Sequence, residues 1–344
     1  MFSWWLLLAL FFSGSLMSQD RYDDYDLIDI TWEKDSTNWK VVYDEQLHTE
    51  KWDSLPQMRF WRKIMNALPE TSFINIASSR EILDSIPTRI YGDLSYREKE
   101  AYKDSILEAR NLPLGTRIYI TTGKGDYYDH ESVLPDIDKA AQIFVANSVD
   151  PWYAQAILLI ESPGKLRKSY VGAYGPFQLM RYVAVSNGLT VSRELDERAD
   201  IEKSAAATAR FLRRVCLPET RKILAAWRLD YDESSIWFRL MVLHVYHAGA
   251  GNVRGLIRKI APREVGQSLI RKVWATQYRG FRNASQNYSQ LALSALLELD
   301  QIIKNKQEEN KLPLPELTPI PVPQRTKIPY TNPIVPKVNF SRHP

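Results

Sequence analysis

The stretch that most constrains this chain is Ala156-Ile157-Leu158-Leu159-Ile160-Glu161, set between Asp150-Pro151 and Pro163-Gly164. Asp is a favourable N-cap and Pro suits the first helical turn. Pro163 cannot continue a helix, and Gly164 suits the turn that follows. A short apolar helix is expected, carrying one carboxylate, Glu161, to its own C-terminal end. There Glu161 lies among helix carbonyl ends and beside Ile157, Leu158 and Ile160. Both surroundings disfavour the carboxylate and favour the neutral acid. A carboxyl held protonated near neutral pH is what a general acid requires. On this stretch alone, a solvated Glu at a helix end is the competing reading.

Helical signals dominate from about Pro135 onward. Ile137–Asn147 is expected to turn Ala140, Ala141, Phe144 and Val145 inward. Asp200 caps Ile201–Val215, with Ile201, Ala205, Leu212 and Val215 on one face. Ser234 or Ser235 starts Ile236–His247, and Asn252 caps a helix reaching Ile260. Ser285 caps a long helix to about Lys304, with Leu291, Leu293, Leu296, Leu297 and Ile302 as core. Before this region, Tyr25–Trp32 and Trp39–Tyr43 read as strands joined by Asp35-Ser36-Thr37-Asn38. Met58, Trp61, Met65 and Leu68 recur at helical spacing. Residues 70–115 read as short helices and polar loops; the best helix is Ser95–Arg110, with Ser95 and Glu98 as a capping box. Thr116–Thr122 reads as a strand ending at the turn Gly123-Lys124-Gly125. The expected fold class is mainly α: a helical domain over 135–306, a smaller mixed α/β region over 19–134 packed on it, and a proline-rich disordered tail over 307–344. The tail reads as a flexible end, a tether or a partner ligand.

The chain opens on an apolar run through Phe12, followed by Ser13-Gly14-Ser15. That is the length and order of a secretory signal peptide over 1–18, although Lys and Arg are missing ahead of the run. A membrane anchor is the alternative, but the run is short for a bilayer. No Cys follows it, so a lipoprotein anchor is excluded, and export to a periplasm or cell envelope is expected. A net charge of +4 over 344 residues does not suggest a nucleic-acid binder. The single cysteine, Cys216, permits neither an intrachain disulfide nor a Cys-based metal site. His244 and His247 can share a helix face, but no third ligand is near them in sequence. No metal or other cofactor is therefore expected. The 10 Trp and 18 Tyr suit carbohydrate platforms and cores alike.

Three segments carry the functional signal: Glu161-Ser162; Ser169-Tyr170-Val171-Gly172-Ala173-Tyr174-Gly175-Pro176-Phe177-Gln178-Leu179-Met180; and Tyr246-His247-Ala248-Gly249. In this order and spacing they resemble the lytic murein transglycosylases with a goose-lysozyme-like catalytic domain. That family shows Glu-Ser, then Ser and Gly-Ala ahead of Gly-Leu-Met-Gln-Leu-Met, then Tyr-Asn-Ala-Gly. Asp196-x-Arg198 before an alanine-rich helix and Gln286-Asn287-Tyr288 are similar to further family elements, and the resemblance spans roughly 135–300.

The resemblance implies a lysozyme-like helical catalytic domain that cleaves the MurNAc–GlcNAc β-1,4 bond of peptidoglycan without water. Glu161 would be acid and then base, and the MurNAc 6-hydroxyl would close a 1,6-anhydro ring. No second carboxylate is required, and the local motifs place none beside Glu161. Implied substrate contacts are Ser169 to an N-acetyl group, Gln178 to an N-acetyl group or to the acid itself, Phe177 and Met180 as groove residues, Tyr246 to the acid or the sugar, and Tyr288 in the groove wall. Competing structural roles are loop stabilisation for Ser169 and packing for Met180 and Tyr288. Ser162 is expected to hold the helix end and loop by side-chain hydrogen bonds, with a sugar contact as the alternative, and Gly172 and Gly175 to let the backbone approach the saccharide. Three departures stand out: Pro176-Phe177 replaces Leu-Met, His247 replaces Asn, and Ala284 replaces Glu. The implied partners are peptidoglycan glycan strands, with cell-envelope proteins as further candidates. The rivals are a lysozyme-like hydrolase of the same bond and a non-catalytic peptidoglycan-binding protein.

Overall fold

The computed structural model describes residues 27–32, 37–161 and 168–309. The expected signal peptide, Asp35 and Ser36 of the first turn, Ser162 and the tail beyond Glu309 lie outside the described residues, whereas Thr37 and Asn38, read as turn, begin a strand.

Two strands come first, β1 (Leu27–Trp32) and β2 (Thr37–Val42), antiparallel with Ile30 opposite Trp39. Helices α1 (Gln46–Thr49) and α2 (Pro56–Asn66) follow. A second sheet is built from β3 (Thr71–Ile76), β4 (Ile82–Pro87) and, after helices α3 (Thr88–Asp93) and α4 (Tyr96–Ala109), β5 (Ile118–Thr122). Its order is β4-β3-β5, antiparallel throughout. The remainder is helical: α5 (Leu134–Ala146), α6 (Trp152–Glu161), α7 (Arg181–Ser186), α8 (Ile201–Phe211), a π-helical turn over Leu212–Cys216, α9 (Leu217–Ala225), α10 (Ile236–Ala248), α11 (Ala250–Ile260), α12 (Gln267–Ala275) and α13 (Asn283–Glu309). The fold is thus mainly helical, with its sheets near the N-terminus. No helix among the described residues is long and apolar enough to cross a membrane.

Several boundaries follow the sequence. Ser95 caps α4 with the reciprocal Glu98 bond, and Asp200 caps α8 by accepting from the Lys203 amide. Others differ for physical reasons. β3 and β4 occupy a region read as helices and loops. β3 is the central strand, buried from Ser72 to Asn75 and bulged at Ile74/Asn75, so it shows no alternation to read. Leu68 is exposed and lies beyond α2, because it precedes Pro69 and helical backbone is disfavoured there. Val215 is exposed: the π turn inserts a residue and rotates Cys216 into the core instead. Asn252 does not cap α11; the turn is made at Gly249, and Asn252 bonds back to the Ala248 carbonyl from inside the helix. Ser285 is likewise inside α13, which starts at Asn283 and takes in residues 307–309 of the expected tail; Ile303 rather than Ile302 is its deeply buried isoleucine. The helix α12 was not anticipated.

α6 is the central element, buried from Trp152 to Ile160. It packs on α5 and α13 and meets β2 through Gln155, whose side chain donates to the Val42 carbonyl and accepts from the Val42 amide, both at 2.9 Å. At its start, Asp150 accepts from the Trp152 amide, and the Trp152 indole donates to Asp44. Arg239 from α10 pairs with both Asp44 and Asp150. Burial raises the Asp44 pKa, and the Arg239 charge opposes that rise. The main core therefore runs from Ile30 to Ile303, joining the early hairpin to the helices. The three-stranded sheet has its own core with α4 around Ile74, Leu83, Ile106, Leu107 and Ile118. Phe60, Trp61, Ile64 and Phe73 connect α2 to β3. Trp61 also donates to Gln290 of α13 at 3.0 Å, which brings the sheet edge beside the end of α6.

Candidate active site

Glu161 is the last residue of α6 and opens into a cleft of about 460 Å³. One wall is α13 with Asn283, Ala284, Asn287 and Tyr288; the other comes from β5 with Tyr119, Ile120 and Thr121, followed by Lys124. Trp61, Arg80 and His247 complete it. Among the described residues lining this cleft, Glu161 is the one carboxylate. Residues 162–167 contain no Asp or Glu.

Burial pushes the Glu161 carboxyl up to about 7, against a lowering influence from the Tyr288 hydroxyl. That hydroxyl is close enough to act on the acid but makes no hydrogen bond of ordinary length. Glu161 keeps some solvent exposure through the cleft, so its desolvation is partial; burial among apolar Ile160 and three nearby tyrosines drives its pKa upward. Tyr128, Tyr246 and Tyr288 are all raised, burial first and the Glu161 charge adding to it. Tyr127 donates to the Glu161 backbone carbonyl at 3.4 Å.

Tyr246, near the end of α10, donates to the Phe177 carbonyl at 2.6 Å and so anchors the glycine loop rather than bonding Glu161 in this structure. His247 stacks on Tyr288, centroids 4.2 Å apart and planes 20° apart. Its pKa is lowered to about 4 by desolvation, although the residue as a whole remains exposed. The ring stacked on Tyr288 is poorly placed to be hydrated when charged. The imidazole is neutral at pH 7. His244, one turn earlier, is fully buried; its Nε2 pairs with Ser289 at 2.9 Å, so it belongs to the core and not to the cleft.

The glycine loop is held by hydrogen bonds within it and from neighbouring elements. Ser169 accepts from the Ala173 amide through its hydroxyl, which gives it the loop-stabilising role. The Gln178 side chain donates to the Gly175 carbonyl at 3.0 Å, and its backbone is left-handed at φ 46. Gly172 and Gly175 both have positive φ; a Cβ at Gly175 would lie 1.7 Å from the Arg198 carbonyl oxygen. Arg198, buried, bonds Asp196 and donates to the carbonyls of Gly172 and Leu179. Phe177 corrects the expectation of an apolar face for a sugar: its ring is fully buried and stacks on Phe144 at 5.8 Å. Pro176 is also buried, so this part of the loop turns into the core. Met180 is half-buried against the same core, and none of Ser169, Gln178, Met180 and Tyr246 lines the Glu161 cleft, whereas Tyr288 does. Ser162 lies outside the described residues.

Arg80 had no mark in the sequence. It follows Ser78-Ser79 in the β3–β4 turn, is left-handed at φ 63 and is nonetheless buried. Its guanidinium donates to the side-chain oxygens of Asn75, Asn283 and Asn287 and lies over Phe60, Trp61 and Tyr119. Among the described residues it has no carboxylate partner, and burial lowers its pKa to about 10. The oxygens of Asn283 and Asn287 thus serve a cation on either side of Ala284. Among the described residues no group of three His, Cys, Asp or Glu gathers where a metal ion could sit. Compared with known proteins, the chain matches no family model and no curated protein.

Proposed function

We propose that this chain is an exported lytic transglycosylase with a lysozyme-like helical domain, cleaving the MurNAc–GlcNAc β-1,4 bond of peptidoglycan. The observation that carries the proposal is the solitary Glu161: one carboxyl with a pKa near neutrality in a cleft without a second acid among the described residues. A retaining hydrolase needs a carboxylate pair about 5 Å apart, and an inverting one a pair roughly 6.5–9.5 Å apart. A lone acid suits a reaction whose nucleophile belongs to the substrate. The protonated Glu161 gives its proton to the glycosidic oxygen as the bond from MurNAc C1 breaks. The carboxylate then takes the proton of the MurNAc 6-hydroxyl as that oxygen bonds to C1, which closes the 1,6-anhydro ring and restores the acid. The ordered motifs around Glu161, Gly172–Met180 and Tyr246 and the signal-like start support the same reading.

The test is digestion of purified peptidoglycan by the mature protein, with sugar ends identified by mass spectrometry. Anhydro-MurNAc ends are expected. Reducing ends alone would replace this reading with a lysozyme-like hydrolase, and binding without any cleavage would replace it with a non-catalytic peptidoglycan-binding protein.

A further inference from the structure

Beyond Tyr119 and Asn283 the cleft does not end. Both residues also line an adjoining hollow of about 510 Å³ and a further one of about 470 Å³. The last is walled by Arg117, Lys259, Arg279 and Arg282, together with Tyr278 and Gln277, and no carboxylate lines it. Among the described residues none of the four cations is paired with a carboxylate within 4 Å, although the chain carries 41 acidic residues against 45 basic ones. Their placement is built rather than casual. The Arg117 guanidinium lies over Tyr119 at 5.0 Å, and Arg279 over Tyr278 at 5.5 Å. Arg282 donates to the Arg279 carbonyl, and Lys259 donates to the Gln277 carbonyl at 3.0 Å. Tyr278 is itself seated against Gly255, where a Cβ would meet the ring at 2.0 Å. The segment entering β5, α11 and the α12–α13 connection are thus packed so that like charges converge, and convergence of like charges without counter-ions is unfavourable unless an anion is taken up. Arg80 extends the positive field back toward Glu161, because it lines both the first and second hollows.

We propose that this basic arm binds the free carboxylates of the peptide stems carried by the glycan strand whose sugar lies at Glu161. The proposal rests on the transglycosylase reading for the identity of the strand. The cations are exposed, so a flexible, multiply charged ligand that can reach several of them suits the site better than one buried ion. A stem attached at a MurNAc lactyl group is such a ligand: it is tethered to the sugar, and its carboxylates follow at a distance along the groove. Guanidinium groups pair with carboxylates in a fork geometry, and stacking on tyrosine holds two of them ready for it. The arm then selects for strands still bearing uncapped stems, a specificity that Glu161 itself cannot supply.

The test uses the full chain carrying Glu161→Gln, so that binding is read without turnover. Its affinity is measured for soluble glycan strands with intact stems and for the same strands stripped of stems by an amidase. A second protein adds Arg117→Gln and Arg279→Gln. The parent should prefer stem-bearing strands at least threefold, the charge variant should lose most of that preference, and the preference should shrink as salt rises above physiological strength. Equal affinity of the parent for the two strands, or a preference unchanged by the charge substitutions, overturns the stem subsite while leaving the transglycosylase reading to its product analysis. Failure to bind either strand removes both. Circular dichroism and thermal unfolding of each variant establish that the proteins compared are folded.

Discussion

The Tyr246 hydroxyl donates to the backbone carbonyl of Phe177 across 2.6 Å, joining the end of α10 to the loop that faces α6. Tyr246→Phe leaves that carbonyl unpaired in a largely buried setting, a loss of about 1–3 kcal/mol. Thermal denaturation should show a lowered Tm, and murein digestion a reduced kcat/KM as the loop loosens. A variant with unaltered Tm would mean that the bond holds nothing in place.

Glu161→Gln should abolish bond cleavage, because an amide keeps the shape but transfers no proton. The same substitution makes a prediction about stability. The folded acid titrates near 7 and the unfolded acid near 4.5, so the native state holds more protons between those values. Stability from this group is therefore present at low pH and is lost as pH rises toward and past 7. Removing the acid should raise stability at pH 8 by about 1–3 kcal/mol, discounted for its partial exposure, and by much less at pH 4.5. Urea denaturation of the two proteins at both pH values measures this difference. An equal effect at the two pH values would place the Glu161 pKa close to its ordinary value.

The pH profile of kcat/KM should fall above about pH 7, tenfold for each further unit, as Glu161 loses its proton. His247 is neutral there and contributes no charge. His247→Asn should leave the alkaline limb where it was. A charged imidazole would hold the Glu161 pKa down, so a limb that moves upward in the variant would show that His247 is protonated.

Gly175→Ala tests the loop. The position has φ 85, and its Cβ would overlap the Arg198 carbonyl, which is backbone and cannot swing aside. Left-handed strain alone is worth roughly 1–2 kcal/mol, and the overlap adds to it. We expect a fall in Tm of several degrees. Gly172→Ala, whose Cβ meets nothing within 4 Å, should be milder. Comparable losses in the two would mean that strain rather than the Arg198 contact governs the loop.

The local signals in this chain were legible because they depend on near neighbours. Asp150-Pro151 ahead of an apolar run specifies the start of α6, and Ser95 with Glu98 specifies the start of α4. The end of α6, and with it the position of Glu161 beside apolar side chains, was also readable, as was the crowding that raises its pKa. Side-chain roles in the glycine loop were not: a backbone that turns inward buries Phe177 on Phe144, which depends on what α5 presents from the other side, and directs the Gln178 amide to the Gly175 carbonyl of its own loop. Arg80 shows the limit most clearly. In sequence it is a polar residue in a serine-containing turn. In the fold it is buried because α13 brings Asn283 and Asn287 to it from some two hundred residues away. Capping, helix stops and apolar runs are short-range free energies, so the sequence by itself determined the acid and the helix that carries it. That no second acid lines the Glu161 cleft among the described residues, that a neutral imidazole stacks on Tyr288, and that the cations beyond Tyr119 have no carboxylate within 4 Å among the described residues are matters of which distant elements meet, and only the tertiary packing decided them.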